Sequence, residues 1–169
     1  MAMQSDSSAG SYDFAALGEE SGELERLQLQ ARRSAELELQ LLRRMGLKDG
    51  LDVLDLACGP GVITRLIAES HPSSRVTAMD LNEALLEQAK SEAVAVGLNT
   101  IHFVRGDVYQ PPLPEASFDF IYARLLFQHL DQPIKALDQV RRLLKPGGCL
   151  CIMDIDDDWL TLVPEPEGF

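Results

Sequence analysis

The hydrophobic pattern of this chain changes period repeatedly, and the changes predict helices and strands in alternation. From Ser21 to Met45 apolar residues recur at helical spacing among Glu, Gln and Arg, and Gly46 closes this pattern. Short apolar runs follow, separated by further amphipathic stretches. The predicted strands are LDVLDLA (51–57), RVTAMD (75–80), IHFVRGD (101–107), FDFIYA (118–123) and CLCIMDI (149–155). The predicted helices between them are 62–70, one from Asn82 to Gly97, and one that Asp131 and Pro133 open and KPGG ends.

Each predicted helix has an apolar face that should pack on the sheet. The first helix offers Leu24, Leu27, Ala31, Ala35, Leu37, Leu41 and Leu42. The next three offer Val62, Ile63, Leu66 and Ile67; Leu85, Ala89, Ala93 and Val96; and Leu137, Val140, Leu143 and Leu144.

Strict alternation of this kind predicts an α/β fold, in which a Rossmann-like, doubly wound, mostly parallel sheet forms the middle of three layers (α/β/α). No repeat or second domain is visible. We expect a flexible N-terminal tail at 1–18 and one domain at 19–169, with the core at 47–157. In such sheets the ligand lies beyond the carboxyl ends of the strands, so the informative residues should follow each strand.

Composition restricts the class of partner and the compartment. The chain of 169 residues is 46% hydrophobic and 25% charged, which is typical of a globular protein. Its net charge of -12 argues against a nucleic-acid partner, which would need clustered Lys and Arg. No stretch has the pattern of a membrane span or a signal peptide. Cys149 and Cys151 lie close together in one predicted strand, so neither a disulfide nor a metal site is expected from them. We expect a reduced, cytoplasmic protein.

The glycine-rich stretch VLDLACGPG (53–61) joins the first strand to the next helix and is the first candidate site. Gly59 and Gly61 allow close approach of the backbone to a ligand, and the following helix start supplies unpaired N–H groups. A dinucleotide fingerprint would need a third glycine or alanine where this chain has Thr64. This disfavours a nicotinamide-dependent oxidoreductase. The alternative is a tight turn that holds no ligand.

Two acids follow the next strands. Asp80 ends the second strand, where a carboxylate can accept both hydroxyls of a ribose, and Asp107 ends the third, within reach of an exocyclic amine. Two carboxylates with no basic partner fit a nucleoside without phosphates. The structural alternatives are that Asp80 is the N-terminal cap or the dipole partner of the next helix and that Asp107 forms a turn with the loop after it.

Taken in order, the motifs VLDLACGPG, AMD, RGD, FDFIYARLLFQHL and LKPGGCLCIMD resemble those of the class I S-adenosylmethionine-dependent methyltransferases, over roughly residues 20 to 157. The resemblance implies that S-adenosylmethionine is the cofactor and S-adenosylhomocysteine the product. It also implies a helical N-terminal lid at 19–46, to which Tyr12 and RLQLQ (26–30) are similar. The family transfers the methyl group to an acceptor, here expected to be a small molecule.

The resemblance assigns roles to named positions. Gly59 and Gly61 would pack against the methionine portion of the cofactor, with Asp55 and the backbone of Ala57 near its amino group. Asp80 would hold the ribose hydroxyls. The remaining assignments are Leu81 on one adenine face, Asp107 with the backbone of Val108 at the adenine edge, and Arg124 at the junction of cofactor and acceptor. The alternative for Arg124 is an ordinary salt bridge.

Methyl transfer itself is mainly a matter of alignment, and a general base would help only an acidic acceptor. His129, Asp154 and Asp156 are candidates by position alone, and a packing role for His129 is the alternative. A catalytically silent cofactor-binding or regulatory subunit with the same fold is the alternative function.

The sequence departs from the family after the fifth strand. Family members continue with a helix and an antiparallel pair of strands, whereas this sequence reaches Phe169 first, so it looks truncated. An uncovered fifth strand predicts pairing of that edge with a second copy of the chain.

Overall fold

The computed structural model describes residues 35–155, so the predicted tail, most of the predicted lid including Tyr12 and 26–30, and Asp156 lie outside the described residues. The described helices are α1 (35–44), α2 (Val62–Ser70), α3 (Glu83–Ala95) and α4 (Pro133–Leu143). The strands are β1 (Asp52–Leu56), β2 (Arg75–Asp80), β3 (His102–Arg105), β4 (Phe118–Arg124) and β5 (Leu144–Met153). A short 3₁₀ helix, Phe127–His129, follows β4 and was not predicted.

The five strands form one sheet in the order β3-β2-β1-β4-β5, and every pair is parallel. The doubly wound prediction is therefore confirmed, and within residues 35–155 the sheet is entirely rather than mostly parallel. Strand order reverses between β1 and β4, which are neighbours although two strands separate them in the chain. Ligands of such sheets bind at this reversal, on the side of the carboxyl ends.

Helices cover both faces of the sheet, as predicted for three layers. On one face, residues of α1, α2 and α3 pack with alternate residues of the strands, among them Val53, Phe120 and Tyr122. On the other face, α4 packs on Leu54 and Ile121. Because adjacent strand residues point to opposite faces, β1 and β4 are buried almost throughout.

Two glycines end helices as the sequence predicts. The Gly46 N–H bonds to Arg43 O at 3.2 Å and the Leu47 N–H to Leu42 O at 2.9 Å, which is the Schellman pattern. Gly46 has φ +110, a left-handed conformation that favours glycine. Gly97 ends α3 in the same way.

Some predicted apolar positions are exposed. Leu37 on α1 is 72% exposed, Val96 after α3 58% and Leu137 on α4 38%. Val96 lies beyond the last helical residue of α3, so the helical spacing no longer applies to it. On α1, Ala35 and Leu42 are buried as predicted and Leu39 is buried beside them, whereas Leu41 is 39% exposed.

Strand β5 is longer than predicted and irregular at its start. It begins at Leu144, and its register with β4 shifts between the pairs of Phe118 and Phe120, near Gly147 with φ +80. Within residues 35–155, β5 pairs only with β4. Pairing of this edge with a second copy stays a prediction. None of the described helices is long and apolar enough to cross a lipid bilayer.

Candidate functional site

The turn from Ala57 to Gly61, between β1 and α2, lies at the reversal of strand order. Ala57, Gly59 and Gly61 all have left-handed φ values, +59, +54 and +69. The conformation is ordinary for glycine, whereas for alanine it costs roughly 1–2 kcal/mol. Strain of this kind persists where the surrounding structure fixes it, and it is frequent at binding sites.

The two glycines of this turn have different surroundings. Among residues 35–155, a Cβ atom on Gly59 would meet nothing within 4 Å, so this part of the chain leaves open space beside the backbone of Gly59. A Cβ atom on Gly61 would lie 2.8 Å from Cβ of Ala89, in α3. Gly61 therefore permits the close packing of α2 on α3, whereas Gly59 leaves space at the carboxyl edge of the sheet.

Helix α2 starts directly at this turn. Its N-cap is Gly61, which has no side chain of its own to cap the first N–H groups. The orphan N–H groups and the helix dipole favour an electron-rich group near this end of the helix. The open backbone at Gly59 and the uncapped helix start lie within three residues of each other.

Asp80 joins this turn to the end of β2. Its Oδ2 accepts a hydrogen bond from Gly59 N at 2.8 Å, and its Oδ1 accepts one from Asn82 N at 2.8 Å. The N-cap of α3 is Asn82, whose side chain accepts from Ala84 N and Leu85 N, so Asp80 is not the cap of this helix. A role for Asp80 as partner of the helix dipole stays a prediction. Burial raises the pKa of Asp80, although the backbone hydrogen bonds oppose this rise.

Asp55 lies deeper, in β1. It is 3% exposed, and its Oδ2 accepts a hydrogen bond from Thr64 Oγ1 in α2. Burial raises the pKa of Asp55 to about 6; the Thr64 hydrogen bond opposes the rise, and the Asp80 and Glu38 carboxylates add to it. Thr64, the residue in place of the third glycine of a dinucleotide fingerprint, thus holds the acid of the first motif.

Because its pKa is raised in the folded state, Asp55 lowers the free energy of unfolding as the pH rises and its carboxyl group loses its proton. Its contribution to the free energy of unfolding is fully present below its ordinary pKa of 3.8 and is lost as the pH rises through about 6. Asn cannot ionise, so Asp55→Asn should gain stability relative to the parent protein between pH 4 and 7, by up to about 3 kcal/mol. Urea unfolding of both proteins at several pH values measures the difference. A difference that stays constant over this range would contradict the prediction.

The residues predicted for the adenine lie after β2 and β3. Leu81 is 52% exposed, and Val108 is buried among the residues that pack against α4. Asp107 is exposed, and its Oδ1 accepts from Tyr109 N at 2.8 Å. The turn that was the structural alternative for Asp107 is therefore present.

Arg124 ends β4 and forms an ion pair, in which its side chain is partly buried. Its Nε donates to Oε1 of Glu38 at 3.0 Å, and its side chain is 16% exposed. Tyr122 Oη donates to the other oxygen, Oε2, at 2.9 Å. Glu38 comes from α1, is 3% exposed and was not among the predicted site residues. The sequence did contain a sign of this residue: Glu38 is an acidic residue at the helical spacing of Ala35 and Leu42, on the face of the helix that should be buried.

The candidate bases are more peripheral. His129 and Asp154 are exposed, and Oδ1 of Asp154 accepts from Leu126 N at 3.0 Å. Asp154 thereby joins the end of β5 to the loop after β4. Leu125, in that loop, has φ +51, a second strained position at the carboxyl edge.

Comparisons with known proteins agree with this geometry. The family described as "Methyltransferase domain" matches residues 54–152. Trans-aconitate 2-methyltransferase of Enterobacter sp. is 36% identical over 118 residues, covering 70% of this chain and 44% of that protein. Sterol 24-C-methyltransferase ERG6A of Gibberella zeae is 37% identical over 112 residues, covering 66% of this chain and 29% of that protein.

A solved structure has the same fold over most of the chain. A SAM dependent methyltransferase from Aquifex aeolicus superposes with a TM-score of 0.75 at 26% identity, covering 86% of this chain and 78% of that one. The chain spans less than half the length of the two curated relatives above. The family match covers more than half of the residues, including the glycine turn, Asp80, Asp107 and Arg124. The chain therefore belongs to the class I S-adenosylmethionine-dependent methyltransferases, a family whose cofactor is S-adenosylmethionine.

Proposed function

We propose that this protein transfers the methyl group of S-adenosylmethionine to a small-molecule acceptor. The observation that carries the proposal is the open backbone at Gly59, held by the carboxylate of Asp80 at the point where strand order reverses. Such a site suits a ligand that combines a ribose with an uncharged or cationic group. The acidic surroundings disfavour a phosphate.

The residues present fit this cofactor. Gly59 leaves room for the methionine portion, and Asp80 provides an acceptor for ribose hydroxyls without losing its backbone partners. Leu81 offers an exposed apolar surface for an adenine ring. Asp107, next to the buried Val108, provides an acceptor for its exocyclic amine. These roles follow the family pattern and are part of the proposal.

When bound, the cofactor supplies a methyl group that its positively charged sulfur already activates. The chain then has to hold the reactants in line and exclude water, which can supply several kcal/mol of the barrier. Asp55, largely ionised above its pKa of about 6, stabilises a cationic amino group near the turn. Arg124 faces the same turn from β4 and orients an electron-rich group of the acceptor or cofactor. Asp154 and His129 are the proposed bases for an acceptor that must lose a proton.

The proposal of a small-molecule acceptor rests on charge and on the relatives. A net charge of -12 opposes binding to nucleic acid. The relatives named above are, by their names, methyltransferases of a sterol and of trans-aconitate, which are both small molecules of very different polarity. Because these two acceptors differ so much, they do not indicate the chemical class of the acceptor of this protein.

The test combines binding with turnover in the same preparation. Titration calorimetry with S-adenosylhomocysteine should give micromolar affinity, while a nicotinamide dinucleotide should not compete. Incubation with methyl-labelled S-adenosylmethionine and a small-molecule extract should place the label in a product of low mass. Binding without labelling of any acceptor would favour the silent regulatory subunit. A folded chain that binds no S-adenosylhomocysteine would overturn the proposal.

A further inference from the structure

We propose that Glu38 is a positioning residue, which fixes Arg124 beside the glycine turn and so makes ligand binding depend on the docking of α1 against the sheet. This inference rests on the proposed function, because it takes the turn to be the cofactor site. Glu38 itself lies outside the part of the chain that the methyltransferase family matches. Its role is inferred from the pair of hydrogen bonds through which α1 contacts β4.

The register of the sheet places Arg124 at the turn. Leu56 of β1 pairs with Ala123 of β4 in parallel register. Arg124, the next residue of β4, therefore stands level with Ala57, the first residue of the turn. Its charge also reaches Asp55, where it opposes part of the rise in pKa that burial causes. A guanidinium here can act on the site only if it stays on this side of the sheet.

Glu38 supplies the constraint on Arg124. One carboxylate oxygen accepts from Arg124 Nε at 3.0 Å and the other from Tyr122 Oη at 2.9 Å, so the carboxylate is oriented by two partners on one strand. Burial and the Glu38 carboxylate raise the pKa of Tyr122, which keeps its hydroxyl a donor. Arginine has much rotamer freedom to lose, and a charge-assisted hydrogen bond to a fixed carboxylate removes it before a ligand arrives.

Stability alone does not account for a carboxylate at this position. Glu38 is on the buried stripe of α1 with Ala35, Leu39 and Leu42, where an apolar side chain would dock the helix. Replacement of a buried ion pair by apolar residues is often neutral or stabilising. Two further carboxylates, Asp55 and Asp80, already lie near the turn and act on each other. A third buried acid is costly there unless it is needed to hold Arg124.

A double-mutant cycle on ligand affinity tests whether Glu38 acts through Arg124. Affinity for S-adenosylhomocysteine is measured by calorimetry on the full chain for Glu38→Ala, Arg124→Ala and the double variant. Each single substitution should weaken binding at least about fivefold. The double variant should bind within about twofold of Arg124→Ala, because Glu38 has nothing left to position. Losses that multiply in the double variant would show independent, structural roles and overturn the inference.

Three controls separate positioning from loss of structure. Tyr122→Phe removes a hydrogen bond that also orients Glu38, so it should lower the free energy of unfolding and should weaken affinity less than Glu38→Ala does, because Glu38 still accepts from Arg124 Nε. Glu36→Gln makes an exposed change on the same helix and should alter neither quantity. If Glu38→Ala does not fold, Glu38→Leu replaces it in the cycle, since an apolar side chain suits this buried face of α1 and offers Arg124 no acceptor.

The outcomes also distinguish this inference from the proposed function. If the parent protein binds S-adenosylhomocysteine but Glu38→Ala binds it equally well, only the positioning role fails. If Arg124→Ala binds as well as the parent, Arg124 does not act on the site, and the inference fails for that reason. If the folded parent protein does not bind at all, the proposed function fails first.

Discussion

Asp80→Asn should weaken S-adenosylhomocysteine binding at least tenfold, which corresponds to about 1.4 kcal/mol. The carboxylate of Asp80 accepts from Gly59 N and Asn82 N, and being acceptor-only it can also receive ribose hydroxyls. An amide keeps one acceptor oxygen and replaces the other with an N–H₂ group, which opposes a backbone N–H or obliges a ribose hydroxyl to accept instead of donating. Hydrogen bonds to a charged group contribute about 1.5–3 kcal/mol each, so the loss can exceed tenfold. Titration calorimetry measures it.

Asn82→Ala is the matched control for Asp80→Asn. It disturbs the same junction of β2 and α3, because Asn82 caps the helix through Ala84 N and Leu85 N. Loss of this cap should cost about 1 kcal/mol of stability. Binding should change little, since the Asn82 side chain is committed to the helix. Equal losses of affinity in the two variants would mean that a loosened junction, and not the carboxylate, explains the effect of Asp80→Asn.

The second large effect is expected at Gly61. In Gly61→Ala the new Cβ atom would lie 2.8 Å from Cβ of Ala89, at a backbone φ of +69. Overpacking costs typically about 1–3 kcal/mol and the left-handed conformation roughly 1–2 kcal/mol. The free energy of unfolding should therefore fall by about 2–5 kcal/mol, a large part of the total of a small domain. Urea unfolding measures the change.

Gly59→Ala and a second-site change test this explanation. In the part of the chain that the structure describes, a Cβ atom on Gly59 meets nothing within 4 Å, so Gly59→Ala should cost only the strain of about 1–2 kcal/mol. It should still weaken ligand binding, because the methyl group would occupy the space beside the turn that is proposed for the cofactor. Adding Ala89→Gly to Gly61→Ala removes the clash, so the double variant should be more stable than the sum of the single effects. Strict additivity would exclude contact between α2 and α3 as the cause.

The helices, strands and parallel order were predictable because they depend on local patterns. The run 62–70 became α2 and the run 75–80 became β2 with the predicted bounds. Gly46 and Gly97 end helices because a left-handed residue is needed there, which is a local requirement. The exposure of Val96 and Leu37 was not predicted. Whether an apolar residue is buried depends on the neighbouring element that covers it, and the spacing along one helix does not contain this information.

The candidate site was likewise predictable only in part from the sequence. The sequence by itself determined which residues follow the strands, and so it placed Gly59, Asp80 and Asp107 at one edge of a parallel sheet. Only the tertiary structure decided that Gly61 separates two helices while Gly59 leaves open space. Only the tertiary structure joined Glu38 to Arg124, which are 86 residues apart. Periodicity reports how a residue lies on its own element, whereas an ion pair between elements depends on how the helices pack on the sheet.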